Sequence, residues 1–193
     1  MNHKFASLGI PNDSDSAQNA LDDSVGNATL IGTNGVDSLT GGLGNDVIVG
    51  GGGDDIHLSG GAGNDSIYGN PGSDVLDGGD GDDLLFGGAG DDSMEGGIGD
   101  DIVKFMGGTD TAQGGAGADT FAMIYGGGYG NHRTMDYSAT AGDRIHIENG
   151  VNSISLTSDG ANAHLWESVS NNLILTLEGV GSTNDVIIGN FGI

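Results

Sequence analysis

The sequence predicts an all-β protein that is built from a short repeat and followed by a smaller β-rich segment. Three observations support this fold class. The phrase Gly-Gly-any-Gly-any-Asp recurs between residues 32 and 122, an apolar residue stands two places after nearly every one of its aspartates, and 41 of the 193 residues are glycine. A period this short and regular is typical of stacked coils, in which each repeat is buried by its neighbours.

Ten aspartates close the repeats, and nine residues separate successive ones except for a single step of ten. They are Asp37, Asp46, Asp55, Asp65, Asp74, Asp83, Asp92, Asp101, Asp110 and Asp119. The apolar place two residues later is interrupted at His57, which lies in the ten-residue step. We therefore expect a local bulge at His57 that turns Ile56 or Leu58 inward in its place.

The glycines before each aspartate permit tight turns with unusual φ, which bring backbone carbonyls close to one point. The residues after each aspartate are too few for an independent strand, so they must pair with equivalent residues of other repeats. Two nonapeptides then form one coil of 18 residues, and strands of repeats n and n+2 pair about 4.8 Å apart. Neighbouring aspartates at that spacing repel by roughly 3 to 4 kcal/mol, so the stack should need cations to close.

Composition excludes several classes of function. The formal charge is -24, with 24 Asp and 4 Glu against Lys4, Lys104, Arg133 and Arg144, so neither nucleic acid nor an anionic membrane is an expected partner. The absence of cysteine removes disulfides and thiolate metal sites. The sequence contains neither a transmembrane stretch nor an apolar N-terminal signal peptide.

The repeats resemble the RTX (repeats-in-toxin) family, most closely in residues 41–49, 60–68, 78–86 and 87–95. The resemblance covers about half of the chain and implies a right-handed parallel β-roll that holds Ca²⁺ between the loops of repeats n and n+2. It implies that the ligands are the ten aspartates together with carbonyls of the glycine turns. The corresponding fourth-position glycines are Gly44, Gly53, Gly63, Gly72, Gly81, Gly90, Gly99 and Gly117. Ten loops paired in this way allow up to about eight ions.

Some sites should bind calcium less well than others. Residues 105–110 lack both leading glycines, and residues 32–37 and 69–74 lack the second glycine, so the stretch from 41 to 104 should bind best. Extra acids at the fifth position, Asp54, Asp82, Asp91 and Asp100, are expected to add negative potential and not to act as ligands.

Three regions are expected along the chain: a flexible lead-in at residues 1–24, the β-roll at residues 25–122 and a β-rich C-terminal cap at residues 123–193. Alternating sequences predict short strands near residues 144–147, 153–156, 163–166, 172–177 and 186–188, with a hairpin turn at 158–161. Residues 136–145 resemble the segment that follows RTX repeats in secreted proteases and mannuronan epimerases. Since such proteins leave through a type I exporter that reads an uncleaved C-terminal signal, residues 185–193 are a candidate for that signal.

No His-Glu-x-x-His or Gly-x-Ser-x-Gly motif occurs in the sequence. The resulting hypothesis is a noncatalytic, secreted calcium-binding module that folds on binding calcium and stabilises or helps to export an attached or separate secreted enzyme domain. The alternative is a calcium-dependent module of an adhesin or of an alginate epimerase that binds extracellular polysaccharide.

Overall fold

The computed structural model describes residues 26–124, 130–148, 154–167, 172–182, 186, 188 and 189. The expected lead-in and most of the expected secretion signal lie outside these residues. The described residues form 17 strands. Among these residues there is no helix that is long and apolar enough to cross a membrane.

One sheet has eight strands, all of them parallel to their neighbours. In spatial order its strands are β1 (Thr29–Ile31), β3 (Val47–Val49), β5 (Ser66–Pro71), β7 (Leu84–Ala89), β9 (Ile102–Phe105), β11 (Thr120–Ile124), β13 (Arg144–Glu148) and β17 (Ile188–Gly189).

The other sheet has nine strands. In spatial order these are β2 (Ser38–Leu43), β4 (His57–Ala62), β6 (Val75–Asp80), β8 (Ser93–Ile98), β10 (Thr111–Ala116), β12 (His132–Thr134), β16 (Asn172–Leu177), β15 (Ala163–Glu167) and β14 (Ile154–Ser158). Parallel pairing runs from β2 to β16, and the last three strands are antiparallel.

Successive repeats alternate between the two sheets, as the sequence predicted. Ile48 lies opposite Ile67, which in turn lies opposite Leu85, so each strand pairs with the strand two repeats away. This connectivity forms a parallel β-solenoid of about six turns and confirms the predicted β-roll.

The core is a thin seam between the sheets that receives one buried side chain from each repeat. These residues are Leu30, Leu39, Ile48, Leu58, Ile67, Leu76, Leu85, Met94, Val103, Ala112, Phe121 and Ile145. The repeat of Ala112 adds a second buried side chain, Phe105. Because neighbours of each buried residue point away from the seam, little other apolar surface is enclosed by the repeats.

The extra residue of the ten-residue step lies near His57, as the sequence predicted. Leu58 is fully buried and aligned with Leu39, whereas His57 is exposed and Ile56 is 62% exposed. The extra residue therefore lies between Asp55 and the buried position, which leaves the register of the later strands unchanged.

Both sheets extend beyond the last nonapeptide. Strands are present at the expected places near 144–147, 153–156, 163–166 and 172–177, and β14 and β15 form an antiparallel hairpin. The strand expected at 186–188 overlaps the described strand β17 only at Ile188. Asp159 closes its turn by accepting backbone hydrogen bonds from Ala161 and Asn162.

Candidate metal centre

The aspartate at the sixth position of every repeat after the first hydrogen bonds to the coil before it. Asp101 Oδ1, for example, accepts from the backbone N–H of Asp83 at 2.8 Å. This contact recurs along both edges of the roll and creates two hydrogen-bonded rows of buried aspartates. Ladder A contains Asp37, Asp55, Asp74, Asp92 and Asp110. Ladder B contains Asp46, Asp65, Asp83, Asp101 and Asp119.

The second carboxylate oxygen distinguishes these aspartates from ordinary structural acceptors. In seven of them this atom, Oδ2, is buried and has no hydrogen-bond donor among the described residues. They are Asp55, Asp65, Asp74, Asp83, Asp92, Asp101 and Asp119. A buried polar atom without a partner is costly, so a row of them at one repeat position indicates a ligand that supplies positive charge.

In every repeat except residues 105–110, the glycine at the first position leaves space beside that oxygen. A Cβ on Gly60 would lie less than 3.0 Å from Asp65 Oδ2 and 2.6 Å from the carbonyl oxygen of Gly78, in the next coil. The same arrangement surrounds Gly50, where the nearby carbonyl belongs to Gly69. Two kinds of oxygen acceptor therefore border one small space that any larger residue would fill.

The predicted fourth-position glycines allow the backbone of each turn to adopt positive φ. All eight have positive φ, between 97° at Gly53 and 147° at Gly117. Their carbonyls stack along the roll, since a Cβ on Gly63 would run into the carbonyl of Gly44. The carbonyls beside the aspartate Oδ2 atoms belong instead to first-position glycines, a set that the sequence reasoning did not single out. Ligation by either set stays a prediction.

Burial raises the pKa of the ladder carboxyl groups because the charged form loses its water. The backbone hydrogen bond opposes this rise, and neighbouring aspartates add to it through charge repulsion. The pKa is raised to about 7 for Asp92 and Asp101 and to about 6 for Asp55, Asp65, Asp83 and Asp119. The ladders thus oppose ionisation unless positive charge is supplied.

These oxygens fit a hard cation. Ca²⁺ takes carboxylate and carbonyl oxygens in flexible geometry, whereas Mg²⁺ requires a tighter octahedron and keeps its waters. Within the described part of the chain no three His, Cys, Asp or Glu side chains come together as a metal site. A site at these loops must therefore rely on backbone carbonyls as well as on one or two carboxylates.

Fifth-position side chains have a structural role that the sequence reasoning missed. Asp100 Oδ1 accepts the backbone N–H of Ala118 at 2.8 Å, and Asp82 Oδ1 accepts that of Asp100 at 2.9 Å. Asn64 and Ser73 make equivalent contacts to the next coil. Asp, Asn and Ser at this place all have a short side chain with an oxygen acceptor. This shared property is the feature of the sequence that could have predicted the hydrogen bond.

The two ladders end on residues outside the nonapeptides. Asp143 Oδ1 accepts the N–H of Asp119 at 3.0 Å, and its Oδ2 accepts that of Ser138 at 2.7 Å. Burial also raises the pKa of Asp143. On ladder A the buried His132 takes the equivalent place, with Nδ1 3.3 Å from the backbone nitrogen of Asp110. Sequence offered a signal for Asp143, because Ile145 follows it at the usual spacing of two.

Two loops that depart from the repeat show local substitutes. In residues 32–37, Thr33 donates its backbone N–H to Asp37 Oδ2 at 2.6 Å and its hydroxyl to the same atom at 3.0 Å. In residues 105–110, Phe105 is fully buried and lies against Phe121 and His132. The prediction of weaker calcium binding at these loops thus has a physical basis: protein donors or apolar packing replace part of the oxygen cradle.

Comparison with known proteins connects this geometry with a family. The family model of the RTX calcium-binding nonapeptide repeat matches residues 23–56, 57–85, 68–103 and 106–122, which together are about half of the chain. The chain belongs to the RTX calcium-binding nonapeptide repeat family. Its repeats are therefore of a calcium-binding type, as the sequence indicated.

Two solved structures resemble the RTX chain. The extracellular lipase of Serratia marcescens is 18% identical with a TM-score of 0.35, over 85% of this chain and 38% of the lipase. A subunit of the mannuronan C5-epimerase of Azotobacter vinelandii is 23% identical with a TM-score of 0.26, over 91% of this chain and 85% of that subunit. The chain thus spans well under half of the lipase. A search of curated proteins found no match.

Proposed function

We propose that the protein is a noncatalytic calcium-binding module of a secreted protein, that calcium binding drives the folding of its roll, and that the folded roll stabilises or helps to export an enzyme domain. The proposed ligands are the sixth-position aspartates and carbonyls of the glycine turns. Calcium outside the cell would then act as the signal to fold.

One observation carries this proposal: the buried Oδ2 atoms of both ladders lie beside backbone carbonyls with no protein donor within the described residues. Without a cation, each coil brings a carboxylate into a site that disfavours charge. With Ca²⁺ bound, the same oxygens become ligands and join successive coils. Metal binding and folding are thus expected to be one coupled process.

The test is a calcium titration of the chelated protein, followed by far-UV circular dichroism, with Mg²⁺ in parallel. We expect a cooperative transition from coil to β structure in Ca²⁺ and none at equal Mg²⁺. An unchanged spectrum would contradict calcium-driven folding. Export is tested separately, by comparing secretion of a fused reporter enzyme with and without the chain.

A second candidate function is calcium-dependent polysaccharide binding, as in the accessory module of an adhesin or an epimerase. It is supported by an aromatic groove on the outer face of the eight-stranded sheet, lined by Tyr68 and Phe86. In this case calcium would rigidify the surface that binds the saccharide.

A further inference from the structure

The outer faces of the two sheets differ in chemistry. On each sheet, the residues before and after the buried row point outward. Along β2 to β10 of the nine-stranded sheet these residues are polar apart from Val75: Ser38, Thr40, His57, Ser59, Asp77, Ser93, Glu95, Thr111 and Gln113. Those of the eight-stranded sheet are mainly apolar: Ile31, Val47, Val49, Tyr68, Leu84, Phe86 and Ile102.

On the outer face of the eight-stranded sheet, none of the described residues that flank the buried row of β1 to β13 is acidic. Its charged residues include Lys104, whose Nζ lies 5.5 Å from the centroid of the Phe86 ring. In a chain of net charge -24, an apolar face with a lysine at its aromatic row is a distinct surface.

A groove of about 380 Å³ crosses this face where the strands meet the turns. Tyr68 and Phe86 lie side by side, with ring centroids 5.9 Å apart. The turn side of the groove is formed by Asn70, Pro71, Ala89 and Met106. This volume falls within the range of small-ligand sites, which are mostly apolar with a few polar groups.

The loops that depart from the repeat supply several of these residues. Asn70 and Pro71 stand in the loop 69–74, and Met106 follows Phe105 in the loop 105–110. Asn70 takes the place of a second-position glycine and has a φ of 75°, the positive value for which glycine is best suited. Strain of this kind is often retained where a side chain is needed for function, and here it brings an amide to the groove.

We propose that this groove binds a neutral pyranose chain. A sugar ring has an apolar face of C–H groups and a rim of hydroxyls. The aromatic wall suits the first, and the Asn70 amide and the Tyr68 hydroxyl suit the second. Lys104 is not part of the lining and lies beside it, over the Phe86 ring. The inference rests on the proposed calcium-folded roll and assigns the ligand class for the second candidate function.

Charge favours a neutral chain over a polyuronate. The turns that border the groove carry the aspartates of ladder A, and the whole chain is strongly anionic. A polymer with one carboxylate per ring would be repelled along most of its length, and one lysine cannot compensate for that repulsion.

The test uses the full chain in saturating Ca²⁺, with binding measured by affinity electrophoresis and calorimetry. The probes are soluble linear glucans, mannans and galactans, and alginate is the polyanionic comparison. We expect retention by at least one neutral polymer and weaker retention by alginate. Phe86→Ala should weaken binding about tenfold, whereas Val75→Ala, at an exposed site on the other outer face, should leave it unchanged.

The variant Asn70→Gly separates a loss of binding from a loss of folding. Glycine is the residue of the matching turn position at Gly88, so this variant should fold at the same calcium concentration or a lower one, yet bind about threefold more weakly. Circular dichroism separates the two proposals. The groove proposal alone is overturned if the roll folds in Ca²⁺ but binds no neutral polymer, binds alginate best, or binds equally well after Phe86→Ala. If the chain does not fold in Ca²⁺, the proposed function is overturned first.

Discussion

Asp100 and Asp101 are adjacent in sequence but bond to opposite sides of the stack. Asp101 Oδ1 accepts the N–H of Asp83 in the preceding coil, and Asp100 Oδ1 accepts the N–H of Ala118 in the following coil. Asp101 is buried, with Oδ2 lacking a donor among the described residues, whereas Asp100 is exposed. Two neighbouring carboxylates thus perform different tasks.

This pair allows a matched test of the calcium site. Asp101→Asn can keep the hydrogen bond to Asp83 but places an NH₂ group where the cation needs an oxygen, so the calcium midpoint for folding should rise about tenfold or more. Asp100→Asn removes the same charge and keeps its acceptor, so the midpoint should move little. Calcium titrations followed by circular dichroism measure both. Equal effects would indicate that net charge, not ligation, controls folding.

The loop of residues 50–55 tests the space beside the aspartate. A Cβ on Gly50 would lie 2.9 Å from the Gly69 carbonyl and closer still to Asp55 Oδ2, while a Cβ on Gly52 meets nothing nearer than 3.6 Å. We expect Gly50→Ala to lower the free energy of unfolding in Ca²⁺ by about 2 kcal/mol or more, and Gly52→Ala to change it by less than about 0.5 kcal/mol. Urea unfolding at fixed calcium gives both values. An unchanged free energy of unfolding in Gly50→Ala would argue against a cation site between the Asp55 carboxylate and the Gly69 carbonyl.

Acidity should affect the metal-free and calcium-loaded roll in opposite ways. The pKa of Asp101 and Asp92 is raised from 3.8 to about 7 in the folded chain, so the folded state binds more protons than the unfolded state between these values. Stability of the metal-free roll is therefore greatest below pH 3.8 and falls as pH rises through 7. Where acid has already folded the metal-free roll, calcium must displace these protons, so its midpoint should rise as pH falls from 7 to 5.

Calorimetry in two buffers with different ionisation enthalpies measures the proton release on calcium binding. The aspartates of an unfolded chain are already ionised at pH 6, so we expect release near pH 6 and little at pH 8 only where circular dichroism shows that the metal-free chain is folded before calcium is added. From such a folded chain, release that is the same at both pH values would contradict the raised pKa of the ladder.

Asp143 tests the end of ladder B. Asp143→Ala removes the acceptor for the N–H groups of Asp119 and Ser138, so we expect a loss of about 1 to 3 kcal/mol in the free energy of unfolding. Asp80→Ala removes an exposed carboxylate from a strand end and serves as the control. Thermal unfolding in calcium compares the two, and a larger loss from Asp80→Ala would disprove the end-cap role.

The bulge near His57 provides a packing test. Leu58→Ala should destabilise the roll by about 2 to 5 kcal/mol because it opens a cavity in the seam, whereas Ile56→Ala should cost little because Ile56 is 62% exposed. Urea unfolding in calcium checks this order. The reverse order would place Ile56 in the core.

The sequence was most informative where one residue has one repeated environment. Ile67 is buried as its spacing predicted, and Asp65 two residues before it shares one buried environment with its equivalents in neighbouring coils. Even the choice at the ten-residue step was limited to Ile56 or Leu58, although only packing against Leu39 selects between them.

What could not be predicted depends on contacts between residues far apart in sequence. The partner of Asp100 is 18 residues away, and its hydrogen bond depends on how the turns stack. His132 replaces a ladder aspartate without sharing its chemistry, so no spacing rule identifies it. The groove at Tyr68 and Asn70 needs three successive coils to form.

The alternation of strands between two sheets sets a parity rule for the evolution of this chain. Duplicating a single nonapeptide after residue 50 would move every later strand to the opposite sheet. Tyr68 and Phe86 would leave their face, and His132 and Asp143 would exchange ladders. Duplication of 18 residues keeps each of these in place, so the length of this roll is expected to change in pairs of repeats.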